Sequence, residues 1–235
     1  MREITTTRAA FFKGYVDCAP FILIVVPYSM LFGVVARDAG LDLLQTMTMT
    51  VLVIAGASQF TAVALLSDQA PVFIALLAAL VVNLRMAMYS ASLTPYLGGA
   101  RLWQRALAAY FTVDQTYACS IVKFEQSPDW TVGQRLTYFF AVAVPICPLW
   151  YAFTVVGAVI GSAIPEGLAL DFAIPITFLA IIAPMLRTRA HVAAALVSVL
   201  AALVLAFLPY NLGLLAAGLL AMMAGAEVER RAEQR

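Results

Sequence analysis

The sequence predicts an all-α polytopic integral membrane protein. Of its 235 residues, 63% are apolar and only 11% are charged, whereas soluble domains are about 45–50% apolar and about 25% charged. The apolar residues fall in long runs, and a helix needs about 20 such residues to cross a hydrocarbon core about 30 Å thick. A water-soluble protein of this length has too little interior to hide so much apolar surface.

The apolar runs predict about eight transmembrane helices in a single domain covering residues 1–235. The run at 172–187 is short, and the count falls to seven if it only re-enters the bilayer. The first run is too long for a signal peptide and contains Asp17, Pro20 and Pro27, so we expect a retained first helix. Charges and Pro or Gly breaks bound the candidate spans at 14–36, 43–67, 71–95, 103–122, 135–162, 172–187, 190–208 and 211–226.

The distribution of basic residues predicts that both termini are cytoplasmic. With the N-terminus inside, only Arg37, Arg101 and Arg105 fall on the outer side, and most other Lys and Arg residues fall inside. This is the asymmetry that the positive-inside rule requires. The predicted location is therefore a bacterial cytoplasmic (inner) membrane, which the chain crosses several times.

Composition also excludes several function classes. A net charge of +1 argues against nucleic-acid binding, which needs clustered Lys and Arg. Cys18, Cys119 and Cys147 lie in apolar stretches without the spacing of zinc ligands or of a disulfide framework. We therefore expect no metal and no cofactor.

Arg85 and Asp114 are charged residues inside predicted spans. Each lies ten residues from the outer end of its span, or about 15 Å deep at 1.5 Å per residue. Because a central charge costs about 2.5–3.5 kcal/mol on insertion scales, opposite charges at one depth on neighbouring helices predict an ion pair. The pair either locks the two helices together or meets a substrate, with Arg85 facing a carboxylate and Asp114 an amine or a proton.

Further polar residues share these two spans. Helical spacing puts polar groups on two faces of the third span, which indicates a helix enclosed by protein or locally unwound. The tyrosines also fit ordinary core packing with one satisfied hydroxyl. The groups are Asn83 with Ser90, Tyr89 with Ser92 and Arg85, and, along one side of the fourth span, Tyr110, Asp114 and Tyr117.

The second span carries small and polar residues in its middle, from Gly56 through Ser58 and Gln59. This pattern favours a broken helix whose free backbone groups bind substrate, or close helix packing. For Gly157 and Gly161, spaced as G-x-x-x-G, packing is the preferred interpretation.

The first span contains two prolines and a carboxylate. Pro20 and Pro27 each remove a backbone donor and predict kinks. Asp17 lies near the cytoplasmic end, where it is either a proton relay or a solvated interfacial carboxylate. Asp114 is the second candidate for a proton relay.

These same segments resemble the AzlC family, the large subunit of branched-chain amino acid exporters, over nearly the whole chain. The matching segments are Pro20 to Gly40, Gly56 to Phe60, Asn83 to Arg85 with Tyr89 to Pro95, Asp114 with Tyr117, and Asp171 to Pro184. Two positions depart from the family pattern: Met86 replaces a common histidine and Gln115 replaces a common acid. Both departures argue against a proton relay at Arg85 and Asp114.

The resemblance implies export of leucine, isoleucine and valine, with methionine as a further candidate, together with a small AzlD-type membrane subunit. The expected substrate-binding residues are Arg85, Asp114, Asn83, Gln59, Ser58, Gly56, Tyr89 and Tyr117. Two other functions stay open at this stage. One is a non-transporting structural subunit of a larger complex, and the other is an intramembrane enzyme, for which His191 lies too far from Ser58 to activate it.

Overall fold

The computed structural model describes residues 7–163, 186, 188–208 and 212–233, and these residues form helices and no strands. Ten helices are present in the described part of the chain. The predicted span at 172–187 lies outside the described residues apart from Leu186. The helices are α1 (Thr7–Asp17), α2 (Ala19–Asp38), α3 (Leu43–Val53), α4 (Gly56–Ser67), α5 (Val72–Leu97), α6 (Leu102–Tyr110), α7 (Asp114–Glu125), α8 (Val132–Ala163), α9 (Arg189–Val204) and α10 (Leu212–Glu233).

Within the described ranges, three helices are long and apolar enough to cross a membrane by themselves. They are Ala19–Asp38, Val72–Leu97 and Val132–Gly161, while Leu43–Val53 and Arg189–Val204 are shorter apolar helices. The all-helical membrane class is therefore confirmed. The number of crossings and the side on which the termini lie stay predictions.

Three of the predicted spans are interrupted: the break in the second was expected from its small and polar residues, and those in the first and fourth correct the predicted boundaries. The span at 14–36 begins earlier, at Thr7, and breaks at Cys18, because Pro20 in the first turn of α2 has no N–H with which to continue the ladder of α1. The span at 43–67 is split between α3 and α4, and the span at 103–122 is split between α6 and α7.

The chain divides into two compact units. Unit 1 comprises the described residues of 1–61 and 79–164, and unit 2 those of 62–78 and 165–235. In unit 1, helix α8 is central and packs against α1, α2, α3 and α7. In unit 2, α9 packs against α10, and residues Leu65, Ala70, Ala75 and Ala78 form a small buried cluster.

Helices α2 and α8 approach each other through glycine. A Cβ on Gly157 would collide with the carbonyl oxygen of Met30, and a Cβ on Gly33 with that of Thr154. A Cβ on Gly161 would lie 3.0 Å from the Cα of Val34. Because only glycine permits backbones to come this close, the packing interpretation of the G-x-x-x-G pattern is confirmed.

Candidate functional site

The first helix break, between α3 and α4, consists of Ile54 and Ala55. Ile54 adopts the left-handed conformation, with φ 39° and ψ 38°, and is 6% exposed. A β-branched residue in this region is a backbone outlier that costs about 1–3 kcal/mol. The surrounding structure therefore holds the chain in a conformation that it would not adopt alone.

Aromatic rings pack against the start of α4 and explain why glycine stands there. A Cβ on Gly56 would lie 2.7 Å from the Trp150 ring and 2.8 Å from the Tyr28 ring. Tyr28 also packs on Phe60 and on Trp150, with ring centroids 5.0 and 5.7 Å apart. The structure thus has the helix break that the Gly56 segment predicted, and aromatic side chains, not a neighbouring helix backbone, pack against Gly56.

The second break comprises residues Phe111, Thr112 and Val113, between α6 and α7. The Thr116 hydroxyl lies 2.9 Å from the carbonyl oxygens of Phe111 and Val113, and it accepts the Val113 N–H at 2.8 Å. The Thr112 hydroxyl donates to the Ala108 carbonyl at 2.7 Å. Sequence analysis missed this break, because it contains neither Gly nor Pro; its one local signal is the pair of threonines.

Tyr110 joins the two breaks. Its hydroxyl donates to the Val51 carbonyl, in the last turn of α3, at 2.6 Å and lies 2.8 Å from the Tyr151 hydroxyl. The predicted alignment of Tyr110 with Asp114 and Tyr117 on one helix side is therefore wrong, because the helix ends at Tyr110 and restarts at Asp114. The Tyr110 hydroxyl instead satisfies a backbone carbonyl of α3, the first half of the other broken helix.

Arg85 on α5 and Asp114 on α7 form the ion pair expected from their depth. The guanidinium Nη2 lies 3.1 Å from Asp114 Oδ2, and the two side chains are 32% and 43% exposed. The Tyr89 hydroxyl donates to Asp114 Oδ1 at 3.0 Å. Asp114 is the first residue of α7, where the positive end of the helix dipole favours a carboxylate.

A second contact between α5 and α7 lies beside this pair. The Tyr117 and Ser92 hydroxyls are 3.1 Å apart, and the Tyr89 and Tyr117 rings stack with centroids 4.1 Å apart and an interplanar angle of 8°. The structure therefore brings together Arg85, Asp114, Tyr89 and Tyr117. Their role in substrate binding stays a prediction.

Gln59 is fully buried and has one unpaired atom. Its Nε2 donates to the Thr50 hydroxyl at 3.2 Å, and that hydroxyl donates its own hydrogen to the Thr46 carbonyl. The amide orientation is thereby fixed, and Gln59 Oε1 has no hydrogen-bond partner among the described residues. An unpaired buried acceptor costs about 1–3 kcal/mol, so this atom is available to a donor from outside the chain.

Two further predicted residues carry unpaired buried atoms, and one does not. Asn83 Oδ1 and Arg85 Nε have no partner in the described part of the chain. The Ser58 hydroxyl, in contrast, donates to the Ala55 carbonyl at 2.9 Å, which also accepts the Gln59 N–H at 3.0 Å.

Tyr28 is a site residue that sequence analysis missed. Its ring packs over Gly56 and against Phe60 and Trp150. It therefore forms part of the wall beside the first break. Among the described residues, no group of three or more His, Cys, Asp or Glu side chains could hold a metal ion.

Asp17, the other proposed relay, belongs to a separate cluster. Its carboxylate forms an ion pair with Lys13 and accepts the Tyr138 hydroxyl at 2.8 Å. Its side chain is 24% exposed, and its role as a proton relay or an interfacial carboxylate stays a prediction.

The AzlC family profile, described as AzlC protein, matches residues 20–164. This segment includes both helix breaks and the Arg85–Asp114 pair. The chain belongs to the AzlC family. Membership supports a membrane transporter-type role.

Several relatives of this AzlC-family chain are membrane proteins. It is 28% identical over 219 residues to the inner membrane protein YgaZ of Escherichia coli, covering 86% of this chain and 84% of that protein. It is 31% identical over 218 residues to an uncharacterized membrane protein of Archaeoglobus fulgidus, covering 90% and 92%. A Helicobacter pylori membrane protein is 28% identical over 156 residues, covering 65% and 66%. No solved structure matches the chain.

Proposed function

We propose that this protein is a secondary transporter subunit that exports branched-chain or similar neutral amino acids across the bacterial cytoplasmic membrane. The substrates are leucine, isoleucine and valine, with methionine as a further candidate, and the protein works with a small AzlD-type membrane subunit. The observation that carries the proposal is the Arg85–Asp114 pair beside two broken helices. Broken helices near the midplane are where transporters hold charged substrate groups.

The charge of this site suits a zwitterion. An amino acid that enters between Arg85 and Asp114 exchanges one ion pair for two, with its carboxylate on the guanidinium and its ammonium on Asp114. The unpaired Arg85 Nε adds a donor for the carboxylate, and the unpaired Gln59 Oε1 and Asn83 Oδ1 are acceptors for the ammonium. The site is then neutral both empty and loaded, which lowers the cost of reorienting it in a low dielectric.

Efflux of preloaded radiolabelled leucine, valine and methionine tests the proposal. Cells would express the chain with and without the small subunit, as wild type, Arg85→Ala and Arg105→Ala. Arg105 is an exposed arginine of α6 and serves as the matched control. We expect partner-dependent efflux that falls at least about tenfold in Arg85→Ala, since a charge-assisted hydrogen bond contributes about 1.5–3 kcal/mol, and that is unchanged in Arg105→Ala.

The alternative, a structural subunit that moves nothing, makes a different prediction for the same cells. Membrane abundance of the small subunit would then depend on this chain, while no amino acid leaves faster than from cells lacking both proteins. Normal efflux in Arg85→Ala at matched abundance would instead retain the transporter and remove Arg85 from its binding site.

A further inference from the structure

Helices α1 and α2 run in the same direction as α8. Gly14 of α1 packs against Tyr138, near the start of α8, and Gly33 of α2 packs against Thr154, nearer its end. Helices α1 and α8 therefore begin at one face of unit 1, which we call the first face. Helix α2 ends, and α3 begins, at the opposite or second face.

Helices α5 and α7 both lead to the first face. They lie side by side and point in the same direction, because their contacts follow one another in order along both helices. The successive pairs are Arg85 with Asp114, Ser92 with Tyr117 and Tyr96 with Phe124. At the end of this series the Phe124 ring lies 6.2 Å from the Tyr138 ring, and the Arg135 guanidinium lies 5.3 Å from the Tyr96 ring. The ends of α5 and α7 are thus beside the first turns of α8.

Helix α6 also begins at the first face. A Cβ on Gly99, just before α6, would lie 3.4 Å from Val132 Cγ2 at the start of α8. Trp103 in the first turn of α6 lines a surface groove together with Thr7 of α1 and Gly133 of α8. The first turns of α1, α6 and α8 are therefore neighbours.

The other end of α6 lies deeper along α8. The Phe111 ring packs on Phe140 with centroids 6.5 Å apart, and the Tyr110 hydroxyl lies 2.8 Å from that of Tyr151, in the second half of α8. Helix α6 thus runs inward from the first face. Because α7 starts from the same depth and ends at the first face, the chain reverses its direction at residues 111–113.

The lengths of α6 and α7 and the burial of the break fit such a reversal inside a membrane. The helices have 9 and 12 residues, or about 14 and 18 Å, and each covers about half of a hydrocarbon core about 30 Å thick. Irregular backbone is tolerated at membrane depth only where protein encloses it. Thr112 and Val113 are 6% and 8% exposed, and the Thr112 and Thr116 hydroxyls bond to backbone groups beside the break.

The basic residues support the same arrangement independently. Apart from Arg85 in its ion pair, seven Lys and Arg residues lie in the described part of unit 1, and only Arg37 belongs to the second face. The six at the first face are Arg8, Lys13, Arg101, Arg105, Lys123 and Arg135. Because cytoplasmic segments carry the excess of Lys and Arg, the first face is the cytoplasmic one. A crossing helix at 103–122 would instead place Arg101 and Arg105 outside.

We propose that α6 and α7 form a re-entrant hairpin, which enters the membrane from the cytoplasmic face, reverses at residues 111–113 and returns to the same face. The span predicted at 103–122 is then not a crossing, and Asp114 lies at the tip of the hairpin. The tip meets the broken helix that enters from the other face, since the Val51 carbonyl of α3 accepts the Tyr110 hydroxyl. This arrangement does not depend on which substrate the protein carries.

A double-cysteine variant tests the position of the start of α6. In Gly99→Cys with Val132→Cys the two side chains are neighbours, and a disulfide needs Cβ atoms about 3.5–4.5 Å apart. We expect oxidation of membranes containing the full chain to protect both thiols from a mass-tagged maleimide, and a reductant to restore them. Gly99→Cys with Asp38→Cys, at opposite faces, is the control and should keep both thiols reactive. The unsubstituted chain gives the baseline for the native cysteines.

Side-specific labelling identifies the face. A membrane-impermeant maleimide added to intact cells should label Asp38→Cys but neither Arg101→Cys nor Asp129→Cys, and it should label all three once the membrane is opened. The three positions are exposed, so the substitutions disturb no packing. Asp129, between α7 and α8, is at the cytoplasmic face whether 103–122 is a hairpin or a crossing.

The two experiments can overturn the hairpin without any transport assay. A crossing at 103–122 predicts no disulfide between positions 99 and 132, and labelling of Arg101→Cys together with Asp38→Cys in intact cells. Labelling of Arg101→Cys and Asp129→Cys in intact cells, with Asp38→Cys protected, would overturn the cytoplasmic orientation. Because neither readout measures efflux, failure of the proposed export function leaves both results unchanged.

Discussion

Two parts of unit 1 differ in how their backbone groups are accommodated. Helices α2 and α8 are continuous where they meet, and Gly33 and Gly157 bring their backbones into contact. The broken helices α3/α4 and α6/α7 instead leave backbone groups that side chains must satisfy, as Tyr110 does for Val51 and Thr116 for Phe111. The first pair packs backbone to backbone, and the second presents backbone groups that bond to side chains.

In a transporter, broken helices can rearrange more easily than closely packed continuous helices. Continuous helices make their backbone hydrogen bonds internally, so their contact needs few side chains to satisfy backbone groups. A broken helix depends on a few hydrogen bonds to distant side chains, which can be exchanged for bonds to a substrate. Two site residues accordingly lie next to the breaks: Asp114 is the first residue of α7 and Gln59 lies in the first turn of α4.

The largest effect is expected from a methyl group at the α2–α8 contact. In Gly157→Ala the new Cβ meets the carbonyl oxygen of Met30, and backbone cannot move aside as a side chain can. Overpacking costs about 1–3 kcal/mol, and a clash with backbone belongs at the upper end, about 3 kcal/mol, or about 6–12 °C in apparent melting temperature at this chain length. Size-exclusion profiles of the detergent-solubilised protein after heating measure the shift.

Alanine substitutions at two other glycines are controls for Gly157→Ala. Gly218→Ala has open space around its new Cβ and should leave the melting temperature unchanged or slightly raised. Gly56→Ala meets the ends of the Trp150 and Tyr28 rings, which can turn, so it should lose less stability and more leucine efflux than Gly157→Ala. Equal melting temperatures for Gly157→Ala and Gly218→Ala would show that the close α2–α8 contact does not contribute to stability.

An intermediate effect is expected at the link between the breaks. Tyr110→Phe leaves the Val51 carbonyl without the donor that it has at 2.6 Å. Because both residues are exposed, the loss is the net worth of one hydrogen bond, up to about 1.5 kcal/mol. We expect the apparent melting temperature to fall by about 3–6 °C and efflux to fall with it.

Tyr151→Phe is the matched control for Tyr110→Phe. It removes only the bond between the two hydroxyls and leaves the Tyr110–Val51 bond intact, so its melting temperature should change by less than about 2 °C. If the two variants behave alike, the hydroxyl pair matters and the bond to the broken helix does not.

The sequence predicted those features that depend on spacing along one helix. The ion pair of Arg85 with Asp114 followed from counting residues to the span ends, the break beside Gly56 from small and polar residues where lipid-facing helices have large apolar ones, and the contact at Gly157 from a four-residue repeat. In each case the physical requirement, depth or steric size, is local and can be inferred from residue types.

The remaining features depend on partners far apart in the chain. Tyr110 finds Val51 across 59 residues, and Asp17 finds Tyr138 across 121; no helical spacing predicts such a choice. The break at Thr112 is held by threonine hydroxyls that would equally well bond within a continuous helix. Tertiary packing decides between these alternatives, so they became visible only in the structure.

The smallest effect distinguishes the two stacked tyrosines of the candidate site. Tyr89→Phe removes a hydrogen bond to the Asp114 carboxylate, whereas Tyr117→Phe removes one to the neutral Ser92 hydroxyl, and both keep the ring stack. Bonds to charged groups are the stronger. Because the carboxylate is part-exposed, we expect losses of only about 1 and about 0.5 kcal/mol in stability. Efflux should separate the variants more clearly, since only Tyr89 contacts the group proposed to receive the substrate ammonium. A larger loss of efflux in Tyr117→Phe than in Tyr89→Phe would shift the binding site from Asp114 towards Ser92.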